Sequence, residues 1–272
     1  MNAEWIITNF VIMDDLMMHL DHHSHPLAQV PDSEILIIAV VAAKYFANHH
    51  ERSVGILQQL GYLSGRISVS RFNRRLHALA DWMAFMPQTL GALWTQGEVF
   101  VLDSLPVPVP VCRRVRARRC RKVRGRIYCG YCAAKQEKFF GWRLQLVCTT
   151  EGVPVSFVLL PGSLHDLTPV HELLFGLPQG AKALGDKAFN SADDEASIQA
   201  DTGVRLVSIR KINMEPNHWI DELDLEHHRK GIETLNSQLE SMGLQRLHAR
   251  TNQGLDLKVH ATLVAVMTTN IN

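Results

Sequence analysis

Three acids in this sequence stand where metal-assisted phosphodiester chemistry would need them: Asp103, Asp186 and Glu233. Asp103 closes the apolar run Val99-Phe100-Val101-Leu102. The proline-punctuated stretch after Ser104 is expected to end that strand, because proline lacks the amide a ladder needs. Asp186 repeats the arrangement in Ala-Leu-Gly-Asp-Lys, where Gly185 permits close backbone approach. Glu233 belongs instead to a helical segment, Glu226 to Met242, and shares a face with Arg229 and Lys230 one turn earlier. Cleaving a phosphodiester this way takes two divalent ions about 4 Å apart, held by hard oxygen ligands. Three carboxylates supply the charge to hold them and, without metal, would raise one another's pKa values. A strand-end acid can equally be a turn residue, so the reading requires that the three side chains meet.

The net charge of +1 conceals a strong segregation. Residues 99–150 carry twelve Lys and Arg against only Asp103 and Glu137, which leaves the rest of the chain net negative. Mixed surface charge suffices for solubility, so a basic block points to a polyanion. Its centre is residues 113–126, where Arg113, Arg114, Arg116, Arg118, Arg119, Arg121, Lys122, Arg124 and Arg126 occur with no acid among them. Such an arm is expected to grip nucleic-acid phosphates with little regard to sequence. Lys135, Lys138 and Arg143 could extend the track. Cys112, Cys120, Cys129 and Cys132 fall within the same region, and Cys129-Gly-Tyr-Cys132 has the spacing of half a zinc site. A second close pair is missing, so reduced thiols are favoured over zinc, and Cys148 reads as an ordinary strand residue. His19, His22, His23 and His25 precede Pro26 in an acidic, aperiodic stretch expected to be a solvated linker. His165-Asp166 sits in a loop that could border the cleft.

The elements that must position these groups divide near Gly97. Before it the sequence reads as helical: Ser33-Glu34 opens an apolar stretch through Phe46, Glu51 to Leu60 forms another helix, and Gly61 to Gly65 is a turn. A third helix starts near Ser68 or Ser70 and runs through Met83, with Phe72, Leu76, Leu79, Ala80 and Met83 on one face. Arg71, Arg74 and Arg75 lie opposite, so helix, turn and arginine-bearing helix suggest a helix-turn-helix reader of DNA; a plain bundle with solvated arginines has the same pattern. After Gly97 come short β-rich runs, Val99 to Leu102, Trp142 to Thr149, Val153 to Leu160, Ala181 to Leu184 and Val204 to Ile209. Helical stretches at Pro169 to Phe175, Ser191 to Ala200 and His227 to Met242 alternate with them, which predicts a mixed α/β sheet flanked by helices. The turn at Glu151-Gly152 makes one pair a hairpin.

At 46% hydrophobic residues the chain can fill a core. Its longest apolar run, Ile35 to Ala43, is about half of what spans a bilayer, and Met1 to Trp5 lacks a basic signal start, so a cytoplasmic, nucleoid-associated protein is expected, with no membrane partner.

The segments Phe-Val-Leu-Asp103-Ser, Gly-Asp186-Lys and His228-Arg229-Lys230-Gly231-Ile232-Glu233-Thr234 resemble the three catalytic blocks of insertion-sequence DDE transposases. Between them, Phe140-Gly141-Trp142-Arg143-Leu144, Glu151-Gly152-Val153-Pro154-Val155 and Pro161-Gly162-Ser163-Leu164-His165-Asp166 are similar to that family's hairpin and the loop beyond it. Leu247-His248-Ala249-Arg250-Thr251 followed by Gly254 resembles its closing segment. The likeness covers residues 97–268 in order. It implies an RNase H-like fold over residues 97–272 with a basic insert at 112–132, behind a helical DNA-binding domain at 1–96. It further implies Mg2+, with Mn2+ as a substitute, held by Asp103, Asp186 and Glu233. The substrate would be double-stranded DNA, namely terminal inverted repeats and target, handled by a homodimer that cleaves ends and transfers the 3′ hydroxyl. Two places depart from the family pattern. Glu226 stands where many relatives have tyrosine, and Glu240 where they have a basic residue expected to touch DNA phosphate. Two other functions fit the same residues: an RNase H-like nuclease that cuts without joining, and a DNA-binding regulator without chemistry.

Overall fold

The computed structural model describes residues 1–109, 125–132, 135–212, 214–249 and 251–270, apart from the side chain of Arg229. Contacts group them into two compact units, Met1–Pro87 with Leu239–Asn270, and Gln88–Gln238. The final stretch of the chain thus goes with the amino-terminal helices, which a single division near residue 97 does not anticipate.

In the first unit, α1 (Ala3–His19), α2 (Asp32–Phe46), α3 (His50–Gln59), α4 (Val69–Ala78) and the start of α5 (Ala80–Ala92) join a last helix described below. Every residue from Ile35 to Ala43 is buried, so the apolar run of the sequence is a central helix covered on all sides. α1 turns Trp5, Asn9, Met13 and Met17 inward at four-residue spacing, and Asn2 caps it by accepting from the Trp5 amide at 3.3 Å. Ser68 caps α4 in the same way on Arg71. The helix expected to run unbroken to Met83 stops at Leu79, whose amide is shared between the carbonyls of Arg75 at 3.0 Å and Leu76 at 3.2 Å; the chain restarts as α5.

The second unit holds a mixed sheet of β1 (Val99–Pro108), β2 (Cys129–Cys132), β3 (Glu137–Thr149), β4 (Pro154–Pro161), β5 (Lys182–Gly185) and β6 (Arg205–Ser208). The strand order is β2-β3-β1-β5-β6, with β4 also pairing β3. β1 runs antiparallel to β3 and parallel to β5, which is parallel to β6. β1 does not end at Asp103, contrary to the expectation from its prolines. Its pairing with β5 stops at Leu102↔Gly185, while its pairing with β3 continues to Pro108↔Gly141. The amide of Val109 faces β3, donating to Phe140 at 2.9 Å, so the nitrogens of Pro106 and Pro108 face the side that has no partner strand beyond β5. Proline is tolerated there because no hydrogen bond is lost.

Alternation sends Phe100, Leu102 and Ala183 to one face, where they meet Val170 and Leu174 of α6 (Val170–Leu174) and Ile198 of α7 (Ala192–Thr202). The opposite face receives Val101, Asp103 and Leu184 and is overlaid by α8 (Trp219–Ser241). That helix begins eight residues before His227, with Asp221 and Glu222 in its first turn. The last helix is α9 (Asn252–Asn270), buried nearly all round from Leu255 to Thr268. It packs beside α2 in the first unit.

Candidate active site

The register of β1 and β5 decides where the two aspartates go. Leu102 lies beside Gly185, so the next residues, Asp103 and Asp186, emerge side by side on adjacent strands, spaced about 4.8 Å apart in backbone. Gly185 has a steric reason: a Cβ there would lie 3.0 Å from the ring of Phe189, which packs beneath the turn. Asp186 caps that turn, accepting from the Ala188 amide at 2.8 Å.

Glu233 arrives from α8. The helix is fastened near its start by Lys182, which donates to Asp221 at 3.2 Å and Asp224 at 3.0 Å, and by an Arg205–Asp221 ion pair. From Asp221 to Glu233 is roughly 18 Å of helix, enough to carry the acid from the beginning of β5 past its end. Asp103, Asp186 and Glu233 all line one cleft of about 610 Å³. One turn beyond Glu233, Asn236 donates from Nδ2 to Oδ2 of Asp103 at 2.6 Å, tying α8 to β1. The remaining oxygen of Asn236 is buried without a partner.

A fourth acid, Asp166, also lines the cleft and is held by two side chains of β3. Arg143 donates to its two oxygens at 2.8 and 3.0 Å, and the fully buried Gln145 donates to its carbonyl at 2.9 Å. Arg143 therefore neutralises an internal acid and does not extend a surface track.

The electrostatics follow from crowding acids in a partly dry place. Burial, above all, pushes the Asp103 carboxyl up to about 6; the Asn236 hydrogen bond opposes this, and the charges of Asp186 and Asp166 reinforce it. Asp186 is raised too, by burial first and then by Asp166, against the pull of the Ala188 amide. Carboxylate oxygens that disfavour their own ionisation fit a hard divalent cation in donor type and in charge. Among the described residues no three His, Cys, Asp or Glu side chains are grouped closely enough to hold a metal ion as they stand. Asp103 and Asp186 form the sheet wall of the cleft and Glu233 part of its helical wall.

The other expected residues are placed as follows. Arg71 and Arg74 are exposed on α4, but Arg75 bonds the Val30 carbonyl and pairs with Asp32, which fixes it in the fold. Arg126 and Lys230 are exposed. Arg113, Arg114, Arg116, Arg118, Arg119, Arg121, Lys122 and Arg124, with Cys112 and Cys120, lie outside the described residues, as does the side chain of Arg229. Cys129 and Cys132 carry free thiols on β2, three residues apart in a strand and so directed to opposite faces. His22 is no solvated linker residue: it bonds Asp32 at 3.0 Å and receives the Trp82 indole N–H at 3.1 Å. Sequence reasoning missed Asn236 and Gln145. Asn236 was findable, since a position three beyond Glu233 on a helix shares its face. Gln145 announced itself only through register.

A mixed sheet with aspartates side by side on adjacent strands, one within β1 and one just past β5, with helices on both faces and an acid-bearing helix over the site, is an RNase H-like α/β domain. Residues 94–268 match the family model described as Transposase DDE domain, and the chain belongs to that family of DDE transposases. Searches of curated proteins and of solved structures found no match. DDE transposases are divalent-metal dependent and bind DNA, so the acidic cleft falls in the domain that carries the family's chemistry. No helix among the described residues is long and apolar enough to cross a membrane.

Proposed function

We propose that this transposase cleaves the ends of an insertion sequence and joins the freed 3′ hydroxyl to target DNA, with Asp103, Asp186 and Glu233 as its metal-holding acids. The observation that carries the reading is that acids from β1, the turn after β5, and α8, separated by tens of residues in sequence, line a single cleft. When bound, divalent metal, Mg2+ physiologically and Mn2+ as a substitute, supplies activation of the attacking oxygen and neutralises charge on the leaving one. Asn236 orients Asp103 by holding one of its oxygens. Arg143 and Gln145 fix Asp166 at the cleft wall, where its charge adds to the field that raises Asp103 and Asp186. Lys230, Arg229, Arg126 and the basic stretch 113–124 grip the DNA backbone, and Arg71 and Arg74 take part in recognition of the terminal repeats by the amino-terminal helices. Two copies act together on paired ends.

Joining separates this reading from a nuclease that only cuts. With pre-cut, radiolabelled ends, supercoiled target and Mg2+, the wild-type chain yields covalent end–target products; release of cut fragments without joined products would leave only the nuclease. An Asp103→Ala chain that binds ends and still cleaves them would refute the assignment of the acids.

A further inference from the structure

The unit of Met1–Pro87 and Leu239–Asn270 has a second cavity, of about 880 Å³, and its character is the reverse of the first. α3 contributes His50 and Glu51 to its wall, α4 contributes Arg74 and His77, the chain entering α9 contributes His248, and α9 itself contributes Lys258. Glu51 is the sole acid among the described lining residues. We propose that this cleft seats the phosphate backbone of duplex DNA, with Arg74 and Lys258 as its permanent charges. The inference rests on the DNA-handling function above and deepens it: residues 248–258, remote in sequence from α4, become part of the same DNA-binding surface.

Three features argue for an anion. First, the polar side chains are held in place: Lys258 donates to the Asn48 carbonyl at 2.8 Å, and Nδ1 of His77 lies 3.0 Å from Oε1 of Gln253. Second, the field is already positive. His50 is held down to about 4, by burial first and then by the charge of Lys258, with His77 and His49 adding to it. The Nε2 of His50 is buried with no hydrogen-bond partner. Third, α3 begins at His50 without a side-chain cap, so its first amides offer hydrogen bonds in the direction from which the helix dipole also favours negative charge. The shared chemistry of all this is phosphate. The cavity's volume, many times that of one phosphate ion, favours a backbone with successive phosphates over the free ion.

The test is binding by the full chain to a labelled duplex, read by fluorescence anisotropy in EDTA across a salt series. Lys258→Gln and the exposed His248→Glu each weaken affinity by about tenfold and flatten the dependence of log affinity on log salt by about one, as expected for one lost phosphate contact. Lys258→Arg retains wild-type affinity. Unchanged affinity and slope in both variants would overturn the proposal, and so would inorganic phosphate that stabilises the wild type but not Lys258→Gln while duplex affinity stays equal. If Lys258→Gln melts early, His248→Glu, on an exposed side chain, carries the same reading. Because EDTA removes the chemistry, failure of cleavage leaves this result untouched, and failure here leaves the joining assay standing.

Discussion

The two clefts are charge inversions of each other. In one, burial pushes the Asp103 carboxyl up to about 6 and the charges of Asp186 and Asp166 reinforce it; in the other, burial holds the His50 imidazole down to about 4 and the charge of Lys258 reinforces it. Each cleft makes its own charge costly, and each is relieved by a ligand of the opposite sign: divalent cation in the first, phosphate in the second. The chain's net charge of +1 therefore says little about its surfaces, since acids gather in one cleft and basic side chains in the other.

Breaking the acidic cleft gives the largest effect. Asp186→Ala or Asp103→Ala should lower end cleavage by roughly four orders of magnitude, in a nicking assay, while duplex affinity in EDTA stays within about twofold of wild type. Next comes Asn236→Ala, which removes the donor holding Asp103. A loss of about 10- to 100-fold is expected from such a supporting contact. Because that hydrogen bond lowers the Asp103 pKa, the acid limb of the rate profile moves to higher pH in the variant. A uniform loss at every pH, with an unshifted limb, would mean that Asn236 acts only on folding.

The inversion also predicts opposite responses of stability to pH. Asp103 has a folded pKa of about 6, above the ordinary aspartate value of 3.8, so it destabilises the metal-free protein at neutral pH, and that penalty fades as pH falls through about 6 toward 4. Asp103→Asn should therefore melt a few degrees higher than wild type at pH 7.5, at about 2–4 °C per kcal/mol for a chain of this size. The gain shrinks toward pH 4, and added Mn2+ stabilises wild type more than the variant. His50 behaves in the other sense. Its folded pKa of about 4 lies below the ordinary histidine value of 6.5, so stability is lost as pH falls from about 6.5 toward 4. The smallest expected effect is that His50→Gln removes part of this acid sensitivity, measured as melting temperature at pH 5 against pH 7.

How much was legible depended on how a segment is buried. The two aspartates could be read because each follows a short apolar run, Val99 to Leu102 within β1 and Ala183 to Gly185 in β5, and parallel register sets those runs side by side. The length of β1 could not, because only its pairing shows that Pro106 and Pro108 face away from β3. α9 was missed for a different reason: Leu255, Leu257 and Val259 alternate with Asp256, Lys258 and His260 in a strand-like rhythm, and the run to Met267 is apolar all round, leaving no stripe to read. Arg75 and Arg143 looked like members of basic surfaces, yet each has a distant acid, Asp32 and Asp166, that only folding supplies. Charge patterns along a sequence name the cations but not their partners.

The central claim is most directly tested by anomalous scattering from crystals of the full chain soaked in Mn2+. Manganese should lie between Asp103 and Asp186, with Glu233 drawn into the coordination sphere and Asp166 still bound to Arg143. Manganese bound elsewhere while these carboxylates keep only protein partners would contradict it.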